Sequence, residues 1–171
     1  EIYTLSLHDV LPIWPAENAA IGVGLRRYGF TGRLAELMHA QMRIAERFQF
    51  ARLPEVMCGH GESAAQPFPP VYPKSCSPQA WSAGAPLILL QMVLGIYPFA
   101  PERILFLDPA LPPWLTNLRL ERLRVGEANL DLEFTRTAEG RAEYRGTRLE
   151  GNLRILRQPS PWSVFARPAE R

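Results

Sequence analysis

Between Arg52 and Trp81 the chain gathers its chemistry-bearing side chains: RLPEVMCGHGE, a proline-rich QPFPPVYPKS, then CSPQAW. Glu55 follows Pro54, which fixes the backbone, and Arg52 lies close enough in sequence to hold a carboxylate ionised. Gly59 and Gly61 allow a backbone to approach a ligand closely. A carboxylate in that setting can activate water or protonate a leaving oxygen, and glycoside hydrolysis needs one group for each task. Tyr72 and Trp81 offer aromatic faces suited to the C–H face of a sugar. Gln79, in the first turn of an apolar helix, can aim a polar group into a cavity. Plainer readings stand beside these: a surface glutamate, a tryptophan filling the core, a glutamine at an exposed helix end.

Other combinations carry less. Cys58, His60 and Cys76 give C-x-H and one distant cysteine, without the second paired motif of a zinc site, so neither metal nor cofactor is expected. The adjacency of Cys58 and His60 says little about a nucleophile and its base. Gly22 and Gly24 belong to no G-x-G-x-x-G pattern and follow no clear strand.

The elements that must position these residues come from 171 positions, enough for one domain or two small ones. Hydrophobic residues make up 47% and charged residues 21%, the composition of a folded chain rather than a disordered one. Basic and acidic residues, 19 and 17, are mixed along the sequence, which leaves no footprint for nucleic acid and no basic block for a membrane surface. The longest apolar run, Ala83 to Gly95, is interrupted by Pro86 and Gln91 and is too short to span a bilayer. Two cysteines cannot build a disulfide scaffold, and a cytoplasmic setting with free thiols is expected. Seventeen prolines are about twice the usual share of roughly 5%.

Asn18 to Tyr28 reads as a short helix stopped at Gly29, with Thr31 capping the next. In that second helix Leu34, Leu37, Met38, Met42, Ala45 and Phe48 recur at helical spacing and predict one buried stripe. Ser77-Pro78 reads as the start of a helix that is apolar nearly all round, runs to about Gly95, kinks at Pro86 and must be buried on most sides. Beyond Pro101 the period switches to two, predicting strands at Ile104–Leu107, Leu118–Val125, Asn129–Phe134, Arg141–Tyr144 and Leu149–Leu156. The alternation slips at Glu121-Arg122, which predicts a bulge.

Three stretches, WPAENAAIGVGLRRYG, RLPEVMCG and VYPKSCSPQAWSAGAP, resemble in this order the C-terminal third of bacterial amylo-alpha-1,6-glucosidases, glycogen-debranching-enzyme-like glycoside hydrolases. The closing PALPPWLTNLRLERLRVGEANLDLEF is similar to the end of that family. The resemblance implies an α+β chain: the C-terminal helices of an (α/α)6 toroid over residues 14–100, then a small antiparallel β-sheet subdomain over 101–171. It implies inverting hydrolysis of α-glucosidic linkages in an alpha-glucan, with Glu55 as general base and Gln79 and Trp81 lining the sugar pocket. Trp14, Glu17 and Asn18 fall in a W-P-H-D-N-like motif, from which Ala16 and Glu17 depart; the longer Glu17 displaces its carboxylate by about one bond. The family's general acid lies upstream, so the 171-residue chain alone is expected to be inactive. Residues 1–13, EIYTLSLHDVLPI, resemble a translated sequencing adapter and are set aside, although 2–7 also alternate like a short strand. A non-catalytic carbohydrate-binding or structural module is the alternative.

Overall fold

The computed structural model of the protein describes residues 12–59 and 69–164. The possible strand at 2–7, His60 and Gly61 lie outside them. Those up to Val23 and from Glu36 to Leu89 form one compact unit; those from Gly24 to Ala35 and from Leu90 onward form another.

The first unit begins with a two-residue strand, β1 (Pro12–Ile13), paired antiparallel with β2 (Met57–Cys58). Helix α1 spans Pro15–Arg27, starting three residues earlier than expected. Trp14 is its cap residue, with its carbonyl accepting from Asn18 N–H at 3.1 Å, and Pro15 fills the first helical position, where no N–H is needed. Gly29 (φ 80°) ends it through a bond from Phe30 N–H to Leu25 O at 2.8 Å.

Helix α2 spans Thr31–Ala45, but Phe30 rather than Thr31 is its cap, accepting from Leu34 N–H at 3.0 Å. Leu34, Met38, Gln41 and Ala45 lie buried at helical spacing, while Leu37, Met42 and Phe48 are half-buried at the edges of the stripe. Helix α3 spans Ala80–Leu94 and runs on through Pro86. Ala85, Leu89, Val93 and Leu94 are buried, yet Trp81, Leu87 and Ile88 are exposed, so burial on most sides is not what forms.

The second unit holds two sheets. In the first, β3 (Ile96–Phe99) pairs antiparallel with β4 (Ile104–Leu107), and β4 pairs parallel with β8 (Arg154–Arg157). Strand β4 is central, and Leu105, Phe106 and Leu107 are buried in succession, as for a strand covered on both faces. The second sheet is an antiparallel meander of β5 (Asn117–Val125), β6 (Ala128–Arg136) and β7 (Ala142–Glu150). In central β6, Ala128, Leu130, Leu132 and Phe134 are buried and alternate with more exposed residues. The register breaks between Leu120 and Leu123, at the expected bulge: Arg122 takes φ 56° and its N–H donates to Asp131 Oδ1 at 2.7 Å.

An α+β chain is observed, but the closing helices of an (α/α)6 toroid are not. A toroid repeats helical hairpins, whereas the three α-helices among the described residues are interspersed with β1, β2 and β3. The β-rich part is not purely antiparallel either, because β4 and β8 run parallel. The strand expected at 141–144 runs on to residue 150, and the one expected at 149–156 is confined to β8, with Gly151 (φ 88°) turning the chain between them. The missed β3 follows α3 after only Gly95, whose φ of 60° allows the abrupt change of direction.

Candidate functional site

The segment Leu53–Cys58 is the hub of the first unit. Leu53, Pro54, Val56 and Met57 are buried, whereas Glu55 is half-exposed. Burying an apolar side chain the size of leucine stabilises by about 1.5–3 kcal/mol, so the flanking residues anchor the backbone and leave the carboxylate at the surface.

Hydrogen bonds tie this segment to the start of α3. Glu55 N–H donates to Cys76 O at 2.8 Å, and Cys76 N–H returns a bond to Glu55 Oε2 at 3.2 Å. Gln79 N–H donates to Leu53 O at 3.1 Å, and the Ser82 hydroxyl reaches Glu55 O at 3.5 Å. Gln79 Oε1 accepts from Ala80 N–H at 3.0 Å, which leaves the side-chain NH2 able to donate outward. Gln79, and not Ser77, is therefore the residue that caps α3. Arg52 does not hold Glu55: its guanidinium lies over the Phe50 ring, 5.2 Å from the centroid. The carboxylate is steadied by a backbone N–H instead.

The other expected residues arrive by the β1–β2 pairing. Ile13 pairs with Met57, so Trp14 enters α1 beside the end of the hub, and Glu17 and Asn18 follow in the first turns. Gln41, on α2, donates from Nε2 to Pro15 O at 2.9 Å and fastens this helix start from within. Trp14 and Asn18 are half-buried and Glu17 is exposed. Glu55, Gln79, Trp81, Trp14, Glu17 and Asn18 thus lie on the hub or on one of two helix starts attached to it, whereas Tyr72 lies in the irregular stretch before α3.

The surface so formed is open among the described residues. Trp81 is 59% exposed, which removes the reading of that ring as core filling, and Tyr72 is also exposed. A cleft of about 920 Å³ does occur in the second unit, but none of the expected site residues lines it.

Two features escaped sequence reading. Phe50 and Ala51, immediately before R-L-P-E, adopt φ of 56° and 54°, a left-handed backbone that costs roughly 1–2 kcal/mol per non-glycine residue. No glycine or asparagine marks these positions, so their types carried no signal. The Cys76 backbone as the partner of Glu55 was equally invisible, because a main-chain donor leaves no trace in side-chain identity.

Cys58 and Cys76 are free thiols, and among the described residues no group of three His, Cys, Asp or Glu side chains is placed to hold a metal ion. No helix among them is long and apolar enough to cross a membrane. Compared with known protein families and with curated proteins, the chain matches none.

Proposed function

We propose that this chain serves in the hydrolysis of α-glucosidic linkages, with Glu55 as the general base. In this reading water attacks the anomeric carbon opposite the leaving oxygen, and Glu55 takes its proton. The Cys76 N–H occupies one carboxylate oxygen and fixes the group's orientation, while the other oxygen remains for the water. Trp81 offers its face to a glucose ring, Gln79 donates to a sugar hydroxyl, and Trp14, Glu17 and Asn18 extend the contact from the start of α1.

The observation that carries this reading is the attachment of two separate stretches to Leu53–Cys58, one through the β1–β2 pairing and one through the bonds to the start of α3. Inversion also requires a carboxylic acid about 6.5–9.5 Å from the base to protonate the leaving oxygen. The hydrogen bonds of Glu55 go to the Cys76 backbone and the Ser82 hydroxyl, so that acid is a separate group.

The openness at Trp81 favours a second reading, a carbohydrate-binding surface that performs no chemistry. Titration with malto-oligosaccharides, followed by tryptophan fluorescence, tests the part shared by both. Binding is expected, weakened about tenfold (~1.4 kcal/mol) by Trp81→Ala and changed little by Glu55→Gln. Absence of binding, or indifference to Trp81→Ala, contradicts both readings.

A further inference from the structure

The cleft of the second unit lies apart from Glu55, at the first turn of α2, the stretch after β4 and the ends of β6 and β8. Its volume of about 920 Å³ falls within the range of small-molecule sites. Three arginines line it: Arg136 at the end of β6, Arg141 in the β6–β7 turn and Arg157 at the end of β8.

What holds these groups matters most. Arg136 Nη1 donates to Leu111 O at 3.0 Å and also to Gly140 O. Arg157 Nη2 donates to Ala142 O at 2.9 Å, and its guanidinium lies over the Tyr144 ring, 5.7 Å from the centroid. Neutral carbonyls and an aromatic face fix a guanidinium in place without cancelling its charge. Asp108, the one carboxylate among the described lining residues, is paired with Arg26 at 2.7 Å, so it does little to neutralise the wall.

A guanidinium has five N–H donors in a planar fork that matches phosphate oxygens, and the carbonyls engage only some of them. The start of α2 adds to the positive field. Gly32, in its first turn, has an N–H without a helical acceptor, and a Cβ there would meet nothing within 4 Å, so a ligand can come close. Pro109, Pro112, Pro113 and Pro159 supply stiff apolar wall with no charge of its own.

We propose that this cleft binds a small phosphorylated compound: a phosphate or pyrophosphate head on the arginines and an uncharged body against the proline wall. The guanidinium groups of Arg136 and Arg157 are held in advance and lose little freedom on binding, and charge attraction makes the affinity fall with added salt.

Calorimetric titration of the full chain at low salt tests this with pyrophosphate, glucose 1-phosphate and glucose as probes. Pyrophosphate and glucose 1-phosphate are expected to bind with Kd below about 1 mM, and glucose much more weakly. Arg141→Ala should weaken both at least tenfold. Its backbone bonds to Thr137 stay in place, so the fold is expected to survive, which circular dichroism checks. Arg124→Ala removes the same charge from exposed β5, away from the cleft, and should change affinity less than twofold. Equal weakening by the two variants, or no binding of either phosphorylated probe, overturns the proposal. So does a short DNA oligonucleotide that displaces pyrophosphate at lower concentration than glucose 1-phosphate does, which would reassign the cleft to nucleic acid.

Discussion

Glu55 is the polar member of an otherwise buried L-P-E-V-M run, and that contrast gives it a fixed place at the surface. Its backbone bond to Cys76 and the return bond to its carboxylate form a small reciprocal clasp. Sequence pattern could single out the residue, because proline before a carboxylate restricts the chain. The clasp was not legible, since any residue type but proline at position 76 supplies the same N–H. The left-handed backbone at Phe50 and Ala51 leads directly into this run. A left-handed non-glycine backbone costs about 1–2 kcal/mol per residue. Ala51→Gly is therefore expected to stabilise the protein by about 1 kcal/mol, read as a raised midpoint in urea with an unchanged slope. Destabilisation of that variant would show that the conformation is not strained.

At the scale of elements, periodicity revealed most of what has a one-sided or fully apolar pattern. The α2 stripe, the alternation in β6 and the β5 bulge were all readable, because each follows from burial of one face. Strand β3 was not, since Ile96–Phe99 contains Pro98 and directly follows a helix of similar composition. The parallel β4–β8 pairing was also hidden, because the partners are distant in sequence and only tertiary contact joins them. One contact of the second unit links the end of α1 to the end of β4. Arg26 Nη2 binds Asp108 Oδ2 at 2.7 Å and the Asp108 carbonyl, with side-chain exposures of 9% and 7%. Gly95 lies directly against this pair, where a Cβ would collide with both Asp108 O and the Arg26 guanidinium. Losing one member of a buried ion pair costs about 3–5 kcal/mol, and Arg26→Met should show a loss of that order in chemical denaturation. Adding Asp108→Leu should recover part of that loss. No recovery in the double variant would mean that the Arg26 contact to the backbone, and not the charge pairing, is what counts.

For the molecule as a whole, the resemblance in local motifs and the observed architecture point in different directions. Backbone bonds tie L-P-E to the S-P-Q stretch, and WPAEN follows the strand β1 that pairs with β2, so short strands and helix starts, rather than a ring of helical hairpins, order these stretches. The apolar exposure of Trp81, Leu87 and Ile88 on α3 belongs to this scale too: mean composition predicted a buried helix, and burial depends on what packs against it. The central claim is that Glu55 activates water against an α-glucosyl carbon. Alpha-glucosyl fluoride isolates that step, because fluoride departs without the help of a general acid. Fluoride release followed with an ion-selective electrode, with the anomer of glucose read by NMR, should show catalysed hydrolysis giving β-glucose, reduced about 10²-fold or more by Glu55→Gln. Release no faster than in buffer, or equal release by wild type and Glu55→Gln, would contradict the assignment of Glu55 as the base.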